Sequence, residues 1–362
     1  MRIVIIGLGS MGKRRMRLLH EIAVNDNRNI ELFGIDGRAD RRAEAEKAAG
    51  ENGFGIMTAA SLDELMSGLA ANDPQGTGAS ESGGAAGLDA AVISTSPLSH
   101  ADIIEDCLKR GLNVFTELNL VSDKYEENMT LAADRGLKLF LSSTPIYRDE
   151  MRYITDRVTG CPDGGRLNYT YHVGQYLPDW HPWESYKDFF IGSKRTNGCR
   201  EILAVELPWI VRAFGPVESV QVQSMRQTGL DIDFDDCYNI LIRHSTGNMG
   251  VFTVDVTARM AVCDLKIVGE NLFITWDGTP EGLMDYDPVA KERKVPKLYD
   301  SVEHREGYSH VIVENMYVNE LKAFLDYVEN DTEPVYGFRQ DKEILDLIDE
   351  IEGIGYRYDH DV

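Results

Sequence analysis

The stretch GLGSMG at residues 7–12 spaces three glycines as G-x-G-x-x-G, directly after the apolar run RIVII and at the start of an amphipathic pattern. Alone the spacing says little, but between a strand and a helix each glycine has a task. Gly7 makes the tight turn, Gly9 lets a backbone approach a pyrophosphate, and Gly12 allows close packing of helix on strand. With Leu8, Ser10 and Met11 they form a candidate phosphate cradle. It lies at a helix N-terminus, whose free N–H groups and partial positive charge suit an anion. The alternative, a Gly-rich turn with no ligand, fits that context less well.

Asp36 closes the next strand, ELFGID. A carboxylate there can accept from both adenosine ribose hydroxyls and repels a 2′-phosphate, which favours NAD over NADP. Arg38, Arg41 and Arg42 follow, and they either serve a phosphate instead or cover a solvated helix face. At STSPLSH (94–100), small hydroxyl residues and a proline leave room for a nicotinamide ribose, with Thr95, Ser96 and Pro97 as candidate contacts. His100 either touches the cofactor or begins the following helix.

The run NVFTELNLVSD (113–123) is where a reactive group should face the cofactor. Its strand ends at Glu117, and Leu118, Asn119 and Leu120 have no proton to move. Glu117, Leu118 and Asn119 therefore border the cofactor, and any acid–base group comes from elsewhere.

These motifs need a scaffold. Strands are predicted at 2–7, 31–36, 89–95, 113–117 and 138–143, with amphipathic helices at 11–23, about 40–50, 61–69, 99–110 and 123–135. Ser61 with Glu64 makes a capping-box pattern, and Gly111 and Gly136 stand just past two helix ends. The alternation implies a doubly wound parallel sheet over 1–147. GLAANDPQGTGASESGGAAG (68–87) interrupts it as a flexible surface insertion. From 148 to 362 the texture changes. A helix at 149–159 and another at 199–214 precede extended segments at 217–227, 235–244, 248–259, 262–269 and 271–276, with a hairpin turn near Thr246–Asn248. Helices at 308–330 and 340–352 close the chain. Consecutive strands imply a largely antiparallel open sheet, hence a second, α+β domain for substrate binding and oligomerisation.

A length of 362 residues fits two domains. The net charge of −23 argues against nucleic acid, which needs clustered cations. No run approaches about 18 apolar residues, so no membrane helix is expected. The first strand begins at residue 2 and leaves no room for a signal peptide. Cys107, Cys161, Cys199, Cys237 and Cys263 form no CxxC pair, which points to reduced thiols and a cytoplasmic protein. Cys199 reads as a structural thiol, since no base accompanies it. His244, His304, His310 and His360 lack ligand spacing, so no metal site is expected.

GLGSMGKRR, LDAAVISTSPLSH, VFTEL, the helix 199–214, KIVGENLFITW and NELKAFLDYVEN occur in an order that resembles the glucose-fructose oxidoreductase / inositol dehydrogenase / MocA family over nearly the whole chain. The resemblance implies a Rossmann domain, a C-terminal domain with an open sheet that commonly pairs with another subunit, a nicotinamide cofactor, and a sugar or cyclitol substrate. It also implies Glu-Lys-Pro where this chain has Glu117, Leu118 and Asn119. An Asp and His one turn apart are implied where it has Ile202 and Glu206, and Pro208 is expected to kink that helix. On this register Glu206 either faces the nicotinamide as the proton-transfer group, with His181 as its relay, or pairs with a nearby arginine such as Arg200.

YHVGQYLPDWHPWESYKDFF (171–190) is rich in aromatic and polar groups, a composition that suits a carbohydrate pocket and otherwise that of a loop anchored by its aromatics. Tyr176 and Trp183 are candidate substrate contacts, and Arg200 a candidate counter-charge for an anionic substrate group. Three functions remain open. The first is an NAD-dependent oxidoreductase acting on a sugar or nucleotide-sugar. The second is a redox-neutral epimerase, lyase or glycosidase that keeps NAD bound. The third is a non-catalytic cofactor-binding protein.

Overall fold

The computed structural model describes residues 1–72, 87–161, 166–181, 184–299 and 313–353. Most of the insertion at 68–87, together with Trp183, His304, His310, His360 and residues 308–312 of the expected helix, lies outside the described residues. The chain forms two compact units: Met1–Ser143 with Tyr317–Lys342, and Thr144–Met316 with Glu343–Val362.

The first unit is built on a six-stranded parallel sheet. Its strands are β1 (Arg2–Ile6), β2 (Glu31–Ile35), β3 (Met57–Ala59), β4 (Ala90–Ile93), β5 (Asn113–Thr116) and β6 (Leu139–Leu141), in the order β3-β2-β1-β4-β5-β6. All five pairings are parallel. Ile3, Val4, Ile5, Ala90, Ala91, Val92, Val114 and Phe115 are wholly buried, which is why these strands read as continuous apolar runs. Helices α1 (Ser10–Asn25), α2 (Ala39–Glu51), α3 (Leu62–Asn72), α4 (His100–Lys109) and α5 (Tyr125–Arg135) connect them. Ser61 caps α3 as expected, its Oγ accepting from Glu64 N at 3.2 Å while the Glu64 carboxylate accepts from Ala60 N at 2.8 Å.

The sequence division leaves everything after 147 in the second domain, whereas the structure returns Tyr317–Lys342 to the first unit. The reason is apolar. Phe324 packs edge-on against Phe115 and Phe140, at centroid distances of 5.6 and 5.7 Å.

In the second unit α6 (Asp149–Thr159) leads into β7 (Asn168–Gly174), followed by α7 (Gly198–Phe214) and then β8 (Val217–Met225), β9 (Cys237–His244), β10 (Met249–Asp255), β11 (Val262–Val268), β12 (Phe273–Trp276), β13 (Met284–Asp287) and β14 (Glu292–Lys294). The sheet order is β14-β13-β12-β11-β7-β10-β9-β8, antiparallel except between β7 and β10. Burial alternates along β9, so one face packs and the other is open. The packed face meets α7 through Tyr171, which stacks on Phe252 and stands edge-on to Trp209. Helix α8 (Glu314–Asn330) and helix α9 (Phe338–Ile351) end the described chain. No helix among the described residues is long and apolar enough to cross a membrane, and all five cysteines are free.

Candidate functional site

The parallel sheet reverses its strand order between β1 and β4, and the glycine turn sits at the carboxyl end of β1, where such sheets open a crevice for ligands. Gly7 has φ of +93°, and a Cβ there would lie 2.7 Å from the Ser94 carbonyl oxygen. A Cβ on Gly12 would lie 1.8 Å from the Gly7 oxygen, so α1 closes onto the turn only without a side chain. Gly9 is different. A Cβ there meets nothing nearer than Arg41 Nη1 at 3.8 Å, so the space above its backbone is open. One glycine is needed for the turn, one for packing, and one leaves a cradle. That is the fit a pyrophosphate requires. Leu8 is buried under Gly34 and its backbone N–H points to Asp36, whereas Ser10 is exposed and Met11 half-buried beside the cradle.

Asp36 is held ready. Its Oδ2 accepts from Leu8 N and its Oδ1 from Arg38 N, both at 2.9 Å, and each oxygen keeps a second lone pair. The three following arginines divide their work. Arg38 pairs with Asp40, Arg42 donates to the Asp36 carbonyl at 2.7 Å, and Arg41 Nη1 lies 3.8 Å from Asp36 Oδ2. Next to the strand end that carries Asp36 is a cavity of about 250 Å³ lined by Ile6, Ile35, Leu62, Ile103, Asp102 and Asp106. Its apolar floor suits a flat aromatic base.

Beyond β4, Thr95 Oγ1 lies 2.8 Å from Ser99 Oγ, Ser99 Oγ donates to the Ser96 carbonyl at 2.7 Å, and Pro97 is buried. His100 is buried with both ring nitrogens engaged inside the protein, against the Thr95 carbonyl and the Asn119 side chain. It begins α4 and spends its polar atoms on the scaffold. Beyond β5, Glu117 accepts from Arg15 Nε at 2.6 Å and Nη2 at 3.0 Å. Leu118 is half-buried and Asn119 buried. Arg15, which the sequence shows only as part of a basic cluster, is wholly buried and also donates to Glu320.

In the second unit α7 is continuous through Pro208, and the proline leaves the Ala204 carbonyl without its helical partner. Asn197 caps the helix, accepting from Arg200 N at 2.8 Å. Ile202, Glu206, Trp209, Ile210 and Ala213 form its buried side, while Glu201, Val205 and Arg212 lie on the more exposed side. Glu206 Oε2 accepts from Tyr171 Oη at 2.8 Å and Trp209 Nε1 at 2.6 Å, which ties α7 to β7. Burial pushes its carboxyl above the usual range, and the two donors oppose that.

Glu201 has no such support. Its Oε2 is buried without a hydrogen-bond partner, and desolvation pushes its carboxyl up to about 7. Sequence reasoning passed over it. The signal was present, because Glu206 has apolar Ile202, Leu203, Trp209 and Ile210 three and four residues away, which marks a core-facing position.

Arg200 is also corrected. It is buried and pairs with Asp349 at 2.7 Å and with Glu352, so its charge is already met and it does not wait for an anionic substrate. His181 Nδ1 donates to Glu184 Oε1 at 2.7 Å and its ring lies against Phe189, and the Tyr176 ring lies under the Arg259 guanidinium at 3.6 Å. Burial pushes the Cys199 thiol up, in keeping with a structural role. No group of residues that could hold a metal ion occurs among the described residues.

Residues 1–142 match the model of an oxidoreductase family with an NAD-binding Rossmann fold. No curated protein sequence matches the chain. Among solved structures, GenD2 from gentamicin A biosynthesis, determined in complex with NAD, is 16% identical with a TM-score of 0.70, over 100% of this chain and 94% of that one. UDP-N-acetylglucosamine 3-dehydrogenase GnnA from Acidithiobacillus ferrooxidans is 14% identical with a TM-score of 0.67, over 97% and 96%. A myo-inositol dehydrogenase from Corynebacterium glutamicum is 18% identical with a TM-score of 0.70, over 98% and 97%. At these identities the likeness establishes the fold. The family match runs from the first strand to the last strand of the parallel sheet, so this part of the chain is similar to the NAD-binding Rossmann domain of the Gfo/Idh/MocA oxidoreductases.

Proposed function

We propose that the protein is an NAD-dependent oxidoreductase acting on a hydroxyl or carbonyl of a sugar or nucleotide-sugar. The observation that carries this is the Asp36 carboxylate, fixed by two backbone amides with lone pairs left for ribose hydroxyls, beside an open cradle at Gly9. Support for the substrate class comes from the aromatic and polar segment with Tyr176, Trp180 and His181, and from the sugar and cyclitol dehydrogenases among the proteins of similar fold. NAD supplies the hydride acceptor. The chain must then take the hydroxyl proton, and Glu201 is the carboxyl best suited to do so near neutral pH. Glu206 serves to hold the helix on the sheet.

The open face of the second sheet carries half-exposed Leu241, Met249, Val251 and Val268, which suits pairing with a second copy. Sedimentation should therefore show a homo-oligomer, and a monomer at micromolar concentration would reject that part.

The cofactor reading is tested by titration with NADH and NADPH. NADH should bind more tightly, and Asp36→Ala should narrow or reverse the preference, because the ribose acceptor and the charge that repels a 2′-phosphate go together. Tighter NADPH binding by the unaltered protein would overturn it. A screen of cyclitols and nucleotide-sugars, followed by NADH absorbance, then identifies the reaction. Turnover with no net change in NADH would assign the protein to the redox-neutral class.

A further inference from the structure

β4 and β5 lie side by side, with Ile93 opposite Thr116, and each runs into a loop at its carboxyl end. One side-chain pair ties these loops together. His100, 1% exposed, contacts the Thr95 carbonyl oxygen through Nε2 at 3.0 Å and the Asn119 side chain through Nδ1 at 2.7 Å. Asn119 itself is 2% exposed. Water is thus kept from both contacts, and the hydrogen bonds must balance among His100, Asn119, the Thr95 carbonyl and the buried Tyr125 hydroxyl, which the Asn119 side chain also reaches.

Burial pulls the His100 pKa below its ordinary value, opposed by Asn119, the Thr95 backbone and the charge of Glu117. A neutral imidazole has one N–H. The Thr95 carbonyl can only accept, so the proton sits on Nε2 and Nδ1 must accept. Only the amide nitrogen of Asn119 can supply that bond. With the amide oxygen toward the ring, Nδ2 is a buried donor without a partner. Turning the amide over places Nδ2 against Nδ1, where the Nε2–H tautomer needs a donor.

We propose that Asn119 is a positioning residue for the cofactor loop. By donating to Nδ1 it fixes His100 as the Nε2–H tautomer, and His100 in turn fixes the Thr95 carbonyl and the Thr95–Pro97 segment. The inference rests on the NAD reading, in which that segment borders the nicotinamide ribose. It also accounts for the departure at the end of β5. The family resemblance implies proline at 119, and proline has no side-chain donor.

The test uses the full chain and NADH. Nitrogen NMR of His100 in the unaltered protein should show a protonated Nε2 and an unprotonated Nδ1 at pH 7.5. Asn119→Leu should weaken NADH binding by about tenfold, the worth of one buried hydrogen bond, and should mix the His100 tautomers. Asn119→Asp should rescue binding to within about threefold, since a carboxylate pairs with the imidazolium and keeps Nε2–H on Thr95, and His100 should then titrate at higher pH than before. The proposal is overturned by an Nδ1–H tautomer, or by an Asn119→Leu protein with lowered stability but unchanged NADH affinity. It is equally overturned by an Asn119→Asp protein that binds no better than Asn119→Leu. If Asn119→Leu fails to fold, the tautomer and the Asn119→Asp titration still decide. Failure of the NAD reading shows separately, as absence of NADH binding by the unaltered protein. The cofactor role of Asn119 then falls, while the tautomer remains directly observed.

Discussion

Replacing Arg15 by methionine should cost about 3–5 kcal/mol of stability and lower the unfolding midpoint by roughly 10 °C. Arg15 is wholly buried and donates to Glu117, to Ser142 Oγ at 3.2 Å and to Glu320 Oε2 at 2.6 Å, with its guanidinium over the Phe115 ring. Glu320 is equally buried and also accepts from Ser142 Oγ and Ser143 N. The pair by itself gains little over apolar groups, because both charges are desolvated. Removing one partner is costly because it strands the other. Burial already pushes the Glu320 carboxyl up, and Arg15 is the chief influence holding it down. Without Arg15 that pKa rises further, so the folded variant takes up a proton that its unfolded state has released. The deficit is therefore largest at alkaline pH and shrinks as pH falls. Adding Glu320→Gln to Arg15→Met should recover part of the loss, a coupling a double-mutant cycle measures by thermal or urea denaturation. A single variant within about 1 kcal/mol of the parent would show that the buried charges are not stranded.

Glu201→Gln should lower turnover by about a hundredfold or more with NADH affinity unchanged. The parent should show a pH–rate inflection near 7, which the variant loses. The same change should stabilise the protein. Below the ordinary carboxyl pKa of 4.5 both states are protonated and the burial of Glu201 carries no ionisation penalty. As pH rises toward 7 the unfolded state releases its proton first and gains. Above 7 the full penalty is present, on the order of 2–3 kcal/mol, and glutamine removes it. Glu206→Gln is the contrast, because its remaining amide oxygen can still accept from Tyr171 and Trp209. Full turnover in Glu201→Gln, or a hundredfold loss in Glu206→Gln instead, would return the proton-transfer role to Glu206.

The parallel sheet was legible because its strands are buried on both faces and its turns carry glycine, serine and proline at the required places. β3, β13 and β14 were not, since three or four residues, one of them the charged run Glu292–Lys294, are too short to show a period. The glycine cradle and Asp36 could be read from local spacing alone. Arg15 could not, because the carboxylates that bury it stand at 117 and 320, far along the chain. His100 and Asn119 likewise meet only once β4 and β5 pair. Glu201 was missed for another reason. The helix was placed by family spacing, and its own apolar stripe, which turns Glu206 inward, went unweighed.

The assignment of Tyr317–Lys342 to the first unit bears on how the chain matures during synthesis. When Ser143 has left the ribosome, every strand of the parallel sheet exists, yet the unit is unfinished. Phe115 and Phe140 still lack Phe324, and Arg15 still lacks Glu320. The chain then crosses between the units three times, so each unit is built from two stretches of chain and the two are interleaved. Closure over so long a separation is entropically late and slow. Until it occurs the nascent sheet presents an apolar edge and a half-compensated buried cation, the kind of surface that chaperones hold. A fragment cut after the sixth strand would stay in that state, so the cofactor-binding half is completed only by Tyr317–Lys342, made long after its sheet.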